Sequence, residues 1–185
     1  MLLIVGLGNL GKDYLKTRHN LGFMVIDALS HKFSIPIDHK SKNYLYGRGA
    51  IEGKEVILAK PLTFMNRSGL AVRSLFEKFK NIEEMIVAHD DIDLNAGTLK
   101  IKRKGSSGGH KGVESIIEHT GINDFIRLRL GIGRSEFLQP EEYVLRNFSR
   151  QEQPLIKKNI EKAVDAIIAM IDKGIDYAQN KFHGE

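Results

Sequence analysis

Two histidine-bearing segments hold the side chains best suited to moving a proton. Thr17-Arg18-His19-Asn20 puts His19 where a loop passes into a helix. An imidazole titrates near neutrality, so His19 can serve as a general base, although a lone histidine there is equally a surface residue. His89-Asp90-Asp91-Ile92-Asp93 follows the apolar run Met85–Ala88. In open α/β sheets, residues just past the strand ends line the ligand crevice. A carboxylate in that place, Asp90, can hydrogen-bond a histidine, hold one tautomer and stabilise the imidazolium formed during reaction. Asp90, Asp91 and Asp93 also offer the hard oxygens that suit Mg²⁺, or form a solvated acidic turn. The expectation taken forward is that no metal is bound.

Three further segments bear chemistry. Gly6-Leu7-Gly8-Asn9-Leu10-Gly11 matches G-x-G-x-x-G after a strand. A dinucleotide site needs a helix to open on the third glycine, but Lys12–Arg18 intervenes without an apolar stripe, and no acid stands at a strand end about 20 residues on. No nicotinamide binding is expected. Phe64-Met65-Asn66-Arg67-Ser68-Gly69 holds Asn66, which can bind a ligand or simply cap a helix. Gly105-Ser106-Ser107-Gly108-Gly109-His110-Lys111-Gly112 is basic and glycine-rich, able to bring backbone N–H groups close to phosphate. It does not have P-loop spacing, and it is otherwise a mobile loop.

The elements that must position these residues follow from periodicity. Leu2–Val5 and Met85–Ala88 read as buried strands, and Tyr44–Ile51 and Glu55–Ala59 as strands joined by a Glu52-Gly53-Lys54 turn. Leu99 and Ile101 alternate with Lys100 and Lys102. Ile126, Leu128, Leu130 and Ile132 alternate with Arg127, Arg129 and Gly131. Both patterns have the period of a strand. Helical spacing starts after Asn20, a candidate cap, through Leu21, Val25, Ala28 and Leu29, and runs from Asn66 to about Phe79. A short helix ends at Gly121, and a long final helix carries Ile156 to Ile171. Ser149-Arg150-Gln151-Glu152 has the capping-box pattern, yet Pro154 places the helix start nearer Gln153. Strands alternate with helices throughout. The expected architecture is α/β, a single domain over residues 1–185 with a mixed β-sheet sandwiched by helices.

Composition narrows the function. With 185 residues, 42% of them hydrophobic, the chain has enough for one sizeable core. No apolar run approaches the ~18 residues of a membrane span, and the N-terminus lacks the marks of a secretory signal. Cysteine is absent, which removes disulfides, thiolate metal sites and cysteine nucleophiles, and suits a reducing compartment. The net charge of +5 is local. Thr98–Arg134 holds eight bases against three acids, the whole excess. A basic patch of this kind is the footprint of polyphosphate or nucleic acid, or else a solvated face.

Taken in order, the motifs resemble those of the bacterial-type peptidyl-tRNA hydrolase family. The matching stretches are Ile4-Val5-Gly6-Leu7-Gly8-Asn9, Tyr14, Thr17-Arg18-His19-Asn20, Thr63-Phe64-Met65-Asn66 with Ser68-Gly69, Val87-Ala88-His89-Asp90-Asp91 with Asp93-Leu94, Gly108-Gly109-His110, and Arg127-Leu128-Arg129 with Gly131-Ile132-Gly133. The resemblance implies hydrolysis of the ester between a peptidyl or N-blocked aminoacyl group and tRNA, in a cytoplasmic, usually monomeric enzyme without a cofactor. It makes His19 the base that activates water, Asp90 the carboxylate that keeps it competent, and Asn9 the residue that tells blocked from free aminoacyl groups. Tyr14, Phe64 and Asn66 match substrate contacts, and Lys102 and Arg129 match positions that hold the tRNA acceptor end. This sequence departs from the family at Leu10, commonly proline, and at Lys111, usually a substrate-contacting asparagine. A lysine there could donate to a carbonyl or phosphate, or crowd the crevice and lower the His19 pKa by like-charge repulsion. The alternative function is a non-catalytic RNA-binding member of the same fold, which would not need the His19/Asp90 pair.

Overall fold

In a computed structural model, which describes residues 1–183, seven strands form one mixed sheet. Strand β1 (Leu2–Gly6) lies at its centre, parallel to β4 (Lys54–Pro61) on one side and β5 (Glu84–Asp91) on the other. Next to β5 come parallel β7 (Ile126–Gly131) and antiparallel β6 (Leu99–Arg103). Beyond β4 lie antiparallel β3 (Tyr44–Ile51) and the short β2 (His39–Lys40). The expected mixed α/β sheet is thus observed, with helices on both faces.

The period of two sorts the apolar strands between two cores. Leu2, Ile4, Val56, Leu58, Ile86 and Ala88 pack against helices α1 (Leu21–Phe33), α5 (Gln153–Lys173) and α6 (Ile175–Phe182). Leu3, Val5, Ile57, Ala59, Met85 and Val87 pack against α2 (Ser68–Lys78) and α3 (Lys111–Thr120). Strands covered on both faces read as continuous apolar runs, which is why β1 and β5 lack alternation in sequence. Strand β7 differs. Ile126, Leu128 and Leu130 enter the first core, while Arg127 and Arg129 occupy the opposite face. No helix among the described residues is long and apolar enough to cross a membrane.

Several local expectations are corrected. The β5 strand does not end at Ala88. Because β7 runs alongside, it pairs His89 with Arg129, Asp90 with Leu130 and Asp91 with Gly131, so the acidic motif belongs to the strand. Asn66 caps nothing: it is exposed in a 3-10 turn, Met65–Arg67, and α2 opens at Ser68. Asn20 stands at the start of α1 without capping it, since its amide is engaged elsewhere. The final helix breaks at Gly174, whose φ of 87° separates α5 from α6. A five-residue helix, α4 (Pro140–Val144), precedes α5 and was not anticipated. The Ser149–Glu152 box does form, with Ser149 N–H donating to Glu152 at 2.7 Å, and α5 starts right after it.

The glycine fingerprint has a packing cause. A Cβ on Gly6 would lie 2.2 Å from the Gly22 carbonyl oxygen, and one on Gly22 would lie 2.3 Å from that of Ala88. These two glycines let α1 descend onto β1 and β5 at backbone contact, with Leu7 N–H reaching Ala88 O and Phe23 N–H reaching Leu7 O. After Gly11 comes a 3-10 turn, Lys12–Tyr14, and no helix opens there. The arrangement a dinucleotide pyrophosphate requires is absent from this turn.

Candidate active site

His19 and Asp90 come together near the C-terminal ends of β1 and β5. The close approach of α1 to β1 sets a 3-10 turn, Arg18–Asn20, above the sheet. From it His19 Nδ1 lies 2.9 and 3.0 Å from the two oxygens of Asp90. A second histidine, which sequence reasoning quoted but gave no role, completes the cluster. His110 Nε2 lies 3.0 Å from Asp90 Oδ1.

The tautomers follow from the partners. His110 is the N-cap of α3, and its Nδ1 accepts from the backbone N–H groups of Gly112 (3.2 Å) and Val113 (3.3 Å). An accepting Nδ1 carries no proton, so the ring proton sits on Nε2 and is donated to Asp90. His19 likewise donates Nδ1–H to Asp90, which leaves Nε2 as its free base. That atom belongs to a side chain bordering a cleft of about 390 Å³.

Electrostatics agree with a poised base. Burial alone would push the His19 pKa down; the adjacent Asp90 charge and its hydrogen bond outweigh this and raise it above 6.5. Burial pushes Asp90 up, but the two imidazoles hold it far below the usual carboxylate range, so it is ionised. Behind them His89 is fully buried, its Nδ1–H donating to the Asp90 carbonyl at 2.7 Å. Burial first, then the neighbouring His110, lowers its pKa to about 3, so it stays neutral.

Asn9 is fixed by three bonds. Asn20 spans its backbone, accepting from Asn9 N–H at 2.8 Å and donating to Asn9 O at 3.0 Å. Met65 N–H donates to Asn9 Oδ1 at 2.8 Å, which settles the amide orientation and leaves Nδ2 as a donor. The same contact ties the Phe64–Asn66 turn to Asn9, and Met65 Sδ abuts Gly112 at the start of α3. Phe64 is 64% exposed and Asn66 is exposed, both free to meet a ligand.

The remaining predicted residues sit farther out. Tyr14 is half-buried, its carbonyl bound by Thr17 Oγ1 at 2.8 Å, and it makes no hydrogen bond to the histidine cluster among the described residues. Lys111 borders the cleft but turns along its own helix toward Glu114, 3.4 Å away. The like-charge lowering of His19 envisaged from sequence is therefore not what occurs. Arg129 is paired with Asp91 at 2.6 Å, and Asp93 with Arg134, while Asp90 serves the histidines. The three acids thus engage three different partners and do not converge as a Mg²⁺ site would require.

The basic stretch also resolves into parts. Arg127 is buried, donating to the carbonyls of Asn123, Phe125 and Gly105. Arg103 pairs with Glu84 and Asp124. Among the described residues, the exposed bases of this stretch without an acidic partner are Lys100, Lys102 and Lys104, on or beside β6.

The peptidyl-tRNA hydrolase family model matches residues 3–185. A peptidyl-tRNA hydrolase of Thermodesulfovibrio yellowstonii is 44% identical over 186 residues, 99% of each chain. That of Bacillus subtilis is 43% identical over 187 residues, the whole of both chains. The crystal structure of the peptidyl-tRNA hydrolase from Acinetobacter baumannii superposes with a TM-score of 0.91 at 37% identity, covering 100% of this chain and 95% of that one. With a family model covering residues 3–185 and relatives at 43–44% identity over essentially their whole length, the chain belongs to the peptidyl-tRNA hydrolase family.

Proposed function

We propose that the chain cleaves the ester between a peptidyl or N-blocked aminoacyl group and the terminal ribose of tRNA, with His19 as general base. The observation that carries this reading is the free Nε2 of a histidine whose Nδ1–H is held by an ionised, buried Asp90. Nε2 takes a proton from water as the water oxygen attacks the ester carbonyl. Asp90 stabilises the imidazolium, which then protonates the departing ribose oxygen. Such an ester needs only a positioned water, a base and donors for the developing oxyanion. The Nδ2 groups of Asn66 and Asn9 are the available side-chain donors.

The orientation of Asn9 accounts for selectivity. With Oδ1 occupied by Met65 N–H, only Nδ2–H is presented. A blocked amino group brings an amide carbonyl, which accepts this bond. A free α-ammonium brings only donors and has no partner there. The cleft beside His19, walled in part by Ile92, Val144 and Leu145, takes the acyl group. Lys102, with Lys100 and Lys104, holds acceptor-end phosphates without reading sequence, and Arg129, registered opposite Lys100 on β7, stands beside them. Tyr14 and Phe64 supply contact surface at the mouth. No metal or other cofactor enters this scheme, and the protein acts as a cytoplasmic monomer.

The test is release of the N-acetylated amino acid from N-acetyl-aminoacyl-tRNA by wild type and His19→Ala, with EDTA in parallel. Turnover by wild type alone, unaffected by EDTA, is expected, with tRNA affinity retained in the variant. A wild type that binds tRNA without turnover would favour the RNA-binding alternative. Equal loss of affinity in His19→Ala would make His19 a binding residue.

A further inference from the structure

Arg18, next to the proposed base, is 7% exposed and has no part in the reaction. Its Nη1 donates to the carbonyls of Arg146 (3.2 Å) and Asn147 (2.8 Å), and its Nη2 to both Glu152 oxygens at 2.9 Å. The guanidinium lies over the Tyr143 ring, 4.3 Å from its centroid, and 5.2 Å from that of Phe148. The backbone makes the same connection: Arg18 N–H donates to Arg146 O at 3.0 Å, and Thr17 bridges to Asn147. All these contacts reach one segment, 143–152.

That segment continues α4, whose Pro140, Glu141 and Val144, with Leu145, form one wall of the cleft beside His19. Helix α4 has five residues and none fully buried. It is too short to hold itself by helix formation. Besides the Arg18 contacts, it is tied to the rest of the fold by Tyr143 Oη–H donating to Ile132 O at 2.8 Å, just past β7, and by Tyr143 and Val144 packing on the core. Glu152 is fixed in turn by Ser149 N–H. A planar group with donors on two nitrogens can join two carbonyls and a carboxylate while stacking on an aromatic ring, which a lysine cannot do.

We infer that Arg18 is a positioning residue that sets the spacing between the His19 turn and the α4 wall, and so the fit of the acyl group in the cleft. The inference rests on the hydrolase reading. Arg18 acts through the wall, because His19 is held separately by Asp90.

The experiment compares wild type, Arg18→Ala, Arg18→Lys and Glu152→Gln on N-acetyl-aminoacyl-tRNA, reading kcat, KM and the pH profile. Amide hydrogen exchange across residues 140–147 is followed in parallel. Arg18→Ala is expected to raise KM about tenfold while kcat falls less than about threefold and the acid limb stays in place. Exchange in 140–147 accelerates while that of α3 is unchanged, and Arg18→Lys recovers part of both effects. A fall in kcat at constant KM, or a moved acid limb, would mean that Arg18 acts on His19 and would overturn the inference. Unchanged exchange in 140–147 would overturn it too, whether or not the wild type turns over; failure of wild-type turnover sinks the hydrolase reading instead. If Arg18→Ala does not fold, Glu152→Gln removes only the ion pair. It is expected to move KM and exchange in the same direction, and no change in either would refute the strut.

Discussion

Asp90→Asn is the substitution that most sharply tests the histidine cluster, because both imidazoles share Asp90 Oδ1 while His19 Nδ1 alone also reaches Oδ2, and an amide can offer an oxygen at only one of these places. Asp90 accepts from both His19 Nδ1–H and His110 Nε2–H. Asparagine would offer one oxygen and one NH₂. The His110 proton cannot move, since its Nδ1 already accepts from Gly112 and Val113. The amide oxygen therefore takes the Oδ1 place between the two rings, and the NH₂ takes the Oδ2 place, against His19 Nδ1. His19 escapes by shifting its proton to Nε2, the atom that should act as base. The reverse amide orientation sets donor against donor at His110, at a cost of roughly 2–3 kcal/mol. Losing the charged partner of the imidazolium removes about 2–3 kcal/mol more. Together these amount to about 4–6 kcal/mol, or ~10³–10⁴ in kcat/KM at about 1.4 kcal/mol per decade. The assay is hydrolysis of N-acetyl-aminoacyl-tRNA, with ¹⁵N spectra of the imidazoles reporting which nitrogen carries the proton. An Asp90→Asn enzyme losing only about tenfold, or one whose His19 proton stays on Nδ1, would refute the tautomer argument.

Asn9→Asp keeps the acceptor for Met65 N–H and replaces the Nδ2 donor with a charged acceptor, so kcat/KM for the N-acetylated substrate should drop at least ~10², read by steady-state kinetics, with thermal unfolding checking the fold. Lys111→Asn should preserve or raise turnover, because Lys111 turns toward Glu114 and away from His19; a large loss of kcat would give the lysine a catalytic role. His89 has its pKa lowered to about 3 by burial and by His110. The unfolded chain therefore binds its proton near pH 6.5 while the folded one does not, so this contribution is complete above that pH and is lost as pH falls from 6.5 toward 3. The span amounts to about 5 kcal/mol. His89→Asn retains a donor for the Asp90 carbonyl and cannot titrate, so urea unfolding across that window should show a flatter acid slope; an unchanged slope would mean that His89 is not the residue responsible.

What was legible in the sequence was what periodicity and residue type determine locally. The buried strands β1 and β5, the alternation of β7 and the glycine stop of α3 were all readable, because each rests on a few neighbouring residues. The His19/Asp90 pair was also readable, since each residue borders an apolar run whose end a parallel sheet brings to one edge. The resemblance then gave Asn9, Phe64 and Asn66 their expected roles, which geometry alone would not have assigned. Chain-distant partners were less visible. Nothing near Ala88 says that β5 continues; that depends on β7, some forty residues later, supplying ladder partners. Arg127 and Arg129 read as equivalent bases in a phosphate-binding stretch, yet one is buried against backbone carbonyls and the other paired with Asp91.

His110 shows most clearly why this limit is physical. In sequence it is a histidine in a glycine-rich loop, with no pattern to separate it from solvent-facing neighbours. Its role exists only because α3 begins one residue later and points two N–H groups at its Nδ1, while β5 brings Asp90 to its Nε2. The helix terminus thereby fixes the position of a proton on one ring, and that proton helps keep ionised the carboxylate that holds His19 Nδ1–H and leaves Nε2 as the base. A residue type and its spacing can suggest that a histidine is able to act. Which of its two nitrogens does so is set by hydrogen bonds contributed from three separate elements, and those are properties of the folded chain alone.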